Sequence, residues 1–139
     1  MAQFMVIVKG DDPEGRERPT EQALTEMGRY NEQLADAGVM VDGNGLLPSS
    51  TAHRIRFGTD GDTSVVDGPF AESKELVAGY WIFECETLDD AVAWARKAPF
   101  PEGQQLEVRK VASAEDFGDA YTDDVREQED RVRDKVRSR

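Results

Sequence analysis

Two strand–helix–strand patterns of similar length, separated by an alternating hairpin, occupy most of this 139-residue chain. Residues 3–9 are a short apolar run rich in β-branched side chains, ended by Gly10-Asp11-Asp12-Pro13. A continuous apolar run of that length predicts a strand buried on both faces. A polar loop from Gly10 to Pro19 leads to Thr20, which can cap a helix whose first turn carries Glu21. Leu24, Met27, Asn31, Leu34 and Gly38 recur at helical spacing, so residues 21–37 form a helix with one mostly apolar face. Gly38 suits the left-handed position just past a helix end, because glycine has no Cβ to clash there. Residues 39–47 resume strand character with Val39, Val41 and Leu47, and Gly43 and Gly45 mark a bend or bulge.

The middle of the chain has a period of two. His53, Ile55 and Phe57 share one face of a strand over Thr51–Phe57, with Ala52, Arg54 and Arg56 on the other. Thr59-Asp60-Gly61-Asp62 turns the chain back through Ser64-Val65-Val66. A second strong strand runs from Leu76 to Cys85, with Trp81, Phe83 and Cys85 opposed to Tyr80 and Ile82. Thr87, with Asp90 three residues on, caps a helix striped by Leu88, Ala91, Val92 and Ala95 and stopped by Pro99. Residues 106–111 close the pattern as a last strand. The order β-α-β, hairpin, β-α-β predicts an α+β fold: a ferredoxin-like split βαβ sheet with an inserted hairpin and both helices on one face. The free face needs a cover, and two sheets stacked in a homodimer supply one.

Charge and rare residues narrow the function. Lys and Arg number 17 against 29 Asp and Glu, for a net charge of −12. So acidic a chain lacks the clustered cations that phosphate contacts require, which excludes direct nucleic-acid binding. The charge fits a soluble protein or a cationic partner. No run approaches the roughly 20 apolar residues that span a bilayer, and no basic segment precedes the first apolar run. The expected location is the cytoplasm, with no membrane partner. One Cys excludes an internal disulfide or a multi-Cys zinc site, and one His excludes any site needing two. No metal site or cofactor is expected: Gly43-Asn44-Gly45 lacks the rest of a phosphate loop, and Asp60 with Asp62 reads as a solvated turn.

The last 27 residues differ from the rest. Residues 1–112 are expected to form the αβ domain, and residues 113–139 an amphipathic helix with a charged tail. Phe117, Tyr121, Val125, Val132 and Val136 fall on one stripe, with fraying expected after about Val132. Glu127 with Arg131 and Glu129 with Arg133 are spaced as helical ion pairs. This helix could cover its own subunit, a dimer mate or another partner.

The candidate chemistry gathers around Val65–Tyr80. Asp67-Gly68-Pro69 breaks a strand, Phe70 is a large apolar anchor, and Glu72, Lys74 and Glu75 place three ionisable groups beside an aromatic strand. His53 alone has an unperturbed pKa near neutrality, which makes it the candidate general base. Asp67, Glu72 and Glu75 could act as paired carboxylates, and Lys74 could bind an anion. Equally, Asp67 could close a local turn and Lys74 pair with a carboxylate to fix the loop. The catalytic candidates are therefore His53 and Asp67, and the substrate-binding candidates are Phe70, Glu72, Lys74 and Tyr80. Cys85, mid-strand with no adjacent base, reads as a small core residue. Trp81 and Phe83 read as core or interface.

The stretch Asp67-Gly68-Pro69-Phe70-Ala71-Glu72-Ser73-Lys74-Glu75 closely resembles the signature of the DGPF branch of the YCII-related family. The resemblance extends over about residues 3–112, through the opening strand, Ala37-Gly38-Val39, Gly43, Gly45-Leu46, and residues 106–111. It implies a ferredoxin-like fold paired as a dimeric αβ barrel, and links some members to extracytoplasmic-function sigma factors. The YCII branch carries a histidine near the first helix and an Asp before a Pro-Phe pair. Here residues 10–38 hold no His, and Ala98 precedes Pro99-Phe100, so that acid/base proposal does not transfer. Two functions follow as expectations. One is binding or transformation of a small molecule near Asp67–Glu75; the alternative is a non-catalytic regulatory module working with such a sigma factor.

Overall fold

The computed structural model describes residues 1–10, 18–71 and 75–139. Its four-stranded antiparallel sheet has the order β2-β5-β1-β6, built from β1 (Ala2–Lys9), β2 (Met40–Gly45), β5 (Val77–Cys85) and β6 (Leu106–Lys110). That order is the one a split βαβ repeat demands. Each strand–helix–strand unit leaves a gap between its two strands, and the other unit fills it. The hairpin β3 (His53–Phe57) and β4 (Thr63–Asp67) forms a separate two-stranded sheet between β2 and β5 in sequence.

Helices α1 (Glu21–Asp36) and α2 (Leu88–Ala95) begin where the threonines predict. Thr20 Oγ1 accepts from the Ala23 N–H at 3.0 Å and Thr87 Oγ1 from the Asp90 N–H at 3.1 Å. Each such cap contributes about 1 kcal/mol by satisfying an amide the helix leaves unpaired. Beyond the Ala37 cap, Gly38 takes φ +72°, the left-handed value expected of it. Both helices cover the face carrying Phe4, Val6, Trp81, Phe83 and Cys85, where Tyr30, Leu34, Ala91 and Ala95 complete the core. Tyr30 meets Trp81 edge to face with ring centroids 5.6 Å apart, and its hydroxyl donates to Trp94 O at 2.8 Å. Burial pushes the Tyr30 phenol up to about 12. Trp81 Nε1 donates to Asn31 Oδ1 at 2.9 Å, so the polar edge of the indole also finds a partner.

Several expected core residues lie elsewhere. A bulge between Met40 and Asp42 breaks the alternation of β2, so Val39 is buried while Val41 is exposed. Leu47 lies past the strand end and is exposed. Leu24, Leu88 and Val92 also face outward, because α1 is anchored by Tyr30 and Leu34 and α2 approaches the sheet through its two alanines. On β1, Phe4 and Val6 are buried but Met5 and Ile7 are only half-buried, so one face of the strand enters this chain's core and the other stays partly open.

The C-terminal stretch is not one helix from residue 113. A 3₁₀ segment over Ala114–Ala120 is interrupted at Gly118, φ +63°, and α3 (Asp123–Arg137) follows. Phe117 and Tyr121 thus leave the predicted stripe and stack on each other instead. Ser113 and Asp116 form a reciprocal capping box, and the Ser113 N–H and hydroxyl hold the Asp116 carboxyl below the usual range. The helix continues past Val132 to Arg137, its last turn carrying Lys135 and Arg137 at the negative dipole end. Among the described residues, no helix is long and apolar enough to cross a membrane.

Candidate functional site

The β3–β4 ladder pairs His53 with Asp67, Ile55 with Val65 and Phe57 with Thr63. Direct partners on an antiparallel ladder point to the same side, so these six side chains share one face. At its base, His53 Nδ1 lies 2.8 Å from Asp67 Oδ1. A carboxylate only accepts, so the contact requires a proton on Nδ1, and in the neutral ring Nε2 is then the acceptor. An aspartate holding one imidazole nitrogen while the other faces outward is the arrangement of an oriented general base. Both side chains are largely exposed, at 63% and 80%, so water screens the pair.

The signature turn fixes the base of this hairpin. The Gly68 N–H donates to Ala52 O at 2.9 Å, and the Phe70 N–H to Ser49 Oγ at 3.2 Å. Ser49 is buried at the start of a 3₁₀ turn over Ser49–Thr51, so residues 49–52 and 68–70 lock together. Gly68 is required by this approach: a Cβ there would lie 1.8 Å from Ser49 O. The Gly68–Pro69 peptide is cis. Phe70 anchors the loop as predicted, half-buried with the Arg54 guanidinium 3.7 Å from its ring centroid. Arg54 belongs to the opposite face of β3 from His53, so Phe70 supports the hairpin on the side away from the His53–Asp67 pair.

Tyr80 lies on the four-stranded sheet and forms a different cluster. Its hydroxyl donates to Asp42 Oδ2 at 3.2 Å and accepts from Asn44 Nδ2 at 3.1 Å. Asp42 and Asn44 flank Gly43 on β2, and Tyr80 is the ladder partner of Asn44. Glu75 is exposed, and Glu72 and Lys74 lie outside the described residues. Asp60 and Asp62 sit at the hairpin tip, where Asp60 takes φ +57°. Among the described residues, no group of three or more His, Cys, Asp or Glu is placed to hold a metal ion. Cys85 is buried, and its thiol is pushed up by burial and then by the charge of Asp90, which suits a core residue rather than a nucleophile.

Reading the sequence located His53 and Asp67 separately but did not pair them. Centring the hairpin on Asp60 would have done so, since the ladder from Phe57–Thr63 then runs to His53–Asp67. Asp42, Asn44, Ser49 and Arg54 were also missed. The first two carry a signal, polar residues alternating about a glycine in a strand. Ser49 and Arg54 act through tertiary contacts that no local pattern announces.

Residues 2–115 match the YCII-related domain. The chain is also similar to Uncharacterized protein R00369 of Rhizobium meliloti (strain 1021), at 32% identity over 94 residues, 66% of this chain and 75% of that protein. With the match covering both strand–helix–strand units and the hairpin between them, the chain belongs to the YCII-related family.

Proposed function

We propose that this protein binds or transforms a small molecule at the β3–β4 hairpin, with His53 as the proton-carrying group and Asp67 as its orienting partner. The observation that carries this reading is the 2.8 Å His53–Asp67 contact between two largely exposed side chains. Holding the imidazole in one tautomer presents a lone pair in a fixed direction, and the stapled turn at Gly68–Phe70 limits how far the hairpin can move. The acidic surface favours neutral or cationic ligands over anions. Glu72 and Lys74 remain binding candidates from the signature segment by sequence, and Tyr80 with Asp42 and Asn44 offers a second polar group on the sheet.

A second copy of the chain completes the molecule in this reading, by stacking sheet on sheet as a dimeric αβ barrel. Half-buried Met5, Ile7, Tyr80 and Ile82 and exposed Ile55, Phe57 and Val65 supply the apolar surface for it. Amide and His53 ring resonances recorded against a library of small neutral and cationic fragments test the site. Binding fragments are expected to shift His53, Ala52 and Gly68, with the response lost in His53→Ala and weakened in Asp67→Asn. A library that leaves the hairpin unmoved, or shifts that persist in His53→Ala, overturns the reading.

A further inference from the structure

Strand β6 is an edge strand: among the described residues it pairs with β1 alone. The phase of that pairing fixes which backbone groups are left over. The Lys9 N–H donates to Gln105 O at 3.1 Å, and the Val111 N–H to Gln3 O at 2.8 Å. Bonded residues alternate on an antiparallel ladder, so Gln105, Glu107, Arg109 and Val111 turn their N–H and C=O groups toward β1. Leu106, Val108 and Lys110 turn theirs outward. Opposite Val8, Val6 and Phe4, these three also place their side chains on the helix-covered face. Beside this edge Val92, Ala95, Phe100, Leu106 and Val108 line an open groove of about 330 Å³. A row of outward amides next to an apolar groove is a template for one more strand.

The charges on β6 say which strand. An antiparallel partner must set outward-turned residues opposite outward-turned residues, so in a pair of identical strands the two-fold axis passes through a residue. An axis at Glu107 sets Glu107 against itself, and one at Arg109 sets Arg109 against itself. An axis at Val108 sets Val108 against Val108, at the rim of the groove, and Glu107 against Arg109 on both sides of it. Leu106 then exchanges backbone hydrogen bonds with Lys110 of the second copy. Within one chain Glu107 and Arg109 make only a loose contact of 3.9 Å and are both exposed, so each can reach across. A charged edge ordinarily discourages strand addition. Here the sign alternates about Val108, so the same charges reject shifted registers and fit one alignment of this strand with itself.

We propose that β6 pairs antiparallel with β6 of a second copy of this chain, on a two-fold axis at Val108. The contact uses the sheet edge, and it rests neither on the His53 site nor on stacking of the free faces. The test uses full chains carrying Glu107→Cys or Arg109→Cys, mixed under mild oxidation with oxidised glutathione. Both positions are exposed, and the native Cys85 is buried. In the mixture the two cysteines face each other with Cα atoms about 4.5 Å apart, within the span of a disulfide. The mixed disulfide is expected to exceed each self-disulfide about tenfold. Glu107→Arg or Arg109→Glu makes both cross-strand pairs repulsive and should weaken self-association in sedimentation about tenfold. Mixing these two chains should restore association, since every pair is then attractive. Amide exchange reads the backbone: Leu106 and Val108 should be protected in the associated chain and lose protection on dilution. Absence of the mixed disulfide, self-disulfides in equal yield, no recovery in the charge-reversed mixture, or outward amides that exchange freely in the associated chain overturns the proposal. An edge that serves a different protein gives the first of these results.

Discussion

His53 and Asp67 are direct partners on the β3–β4 ladder, and their side chains meet at 2.8 Å on its exposed face. The register of a hairpin, not proximity in sequence, makes the contact. If the carboxylate fixes the imidazole, nitrogen-detected spectra of the neutral ring should show its proton on Nδ1. Asp67→Asn removes the obligate acceptor and should turn this into a mixture of tautomers. The stability change should stay within about 1 kcal/mol, because exposed pairs contribute little. A tautomer ratio that does not respond to Asp67→Asn removes the orienting role.

Gly68 is the residue on which the signature turn depends. Replacing it with alanine drives a Cβ toward the Ser49 carbonyl, main chain that cannot rotate away as a side chain could. The Gly68–Ala52 hydrogen bond and the Phe70–Ser49 bond must then lengthen. Gly68→Ala is expected to cost about 1–3 kcal/mol in urea denaturation, the range of a steric intrusion into packed structure. It should also raise amide exchange at Gly68 and Phe70, while amides in β1 and β5 keep their protection relative to the lowered global stability. Wild-type exchange at Gly68 would show that the turn accommodates the methyl.

Much of the fold was legible in advance because it rests on local rules. Threonine caps, a glycine past α1, Pro99 beyond α2 and the period of two around Ile55 each dictate an element without help from distant residues. What failed depended on tertiary choice. Leu24 satisfies the helical period of α1 but is exposed, because Tyr30, whose polar hydroxyl hides its value as a core residue, takes the place against Trp81. Val41 alternates correctly with Val39 until one bulged residue shifts it out of phase. At the site, residue types were readable and their partners were not. The Asp67 carboxyl bonds the imidazole across the hairpin, and Tyr80 joins residues of β2 rather than the signature loop.

Tyr30 gives the protein an alkaline limit. Burial holds its phenol protonated up to about 12, whereas in the unfolded chain it ionises near the ordinary value of about 10. Its folded-state pKa is raised, so its contribution is complete below about pH 10. It declines as pH climbs toward 12, where only the unfolded chain releases the proton. The total loss over that window is on the order of 2–3 kcal/mol. Tyr30→Phe removes the hydrogen bond to Trp94 O and should cost about 1 kcal/mol at neutral pH, while flattening the decline between pH 10 and 12. Denaturant titrations of both proteins across that range measure it. Parallel declines would assign the alkaline loss to other groups.

Phe57 is 82% exposed near the tip of a two-stranded hairpin, with Ile55 and Val65 next to it on the same face. An isolated hairpin is marginal in water, and three adjacent apolar side chains on it gain nothing from solvent. Covered by a second copy, each would contribute about 1.5–3 kcal/mol relative to exposure. Ile55→Ser with Phe57→Ser should therefore leave the unfolding of the single chain nearly unchanged, since neither side chain belongs to its core. The loss should fall on association. Sedimentation of the wild-type protein at micromolar concentration is expected to show a dimer, and the double variant a weaker dimer or a monomer. If the double variant dimerises as tightly as the wild type, the hairpin face is not where the second copy binds.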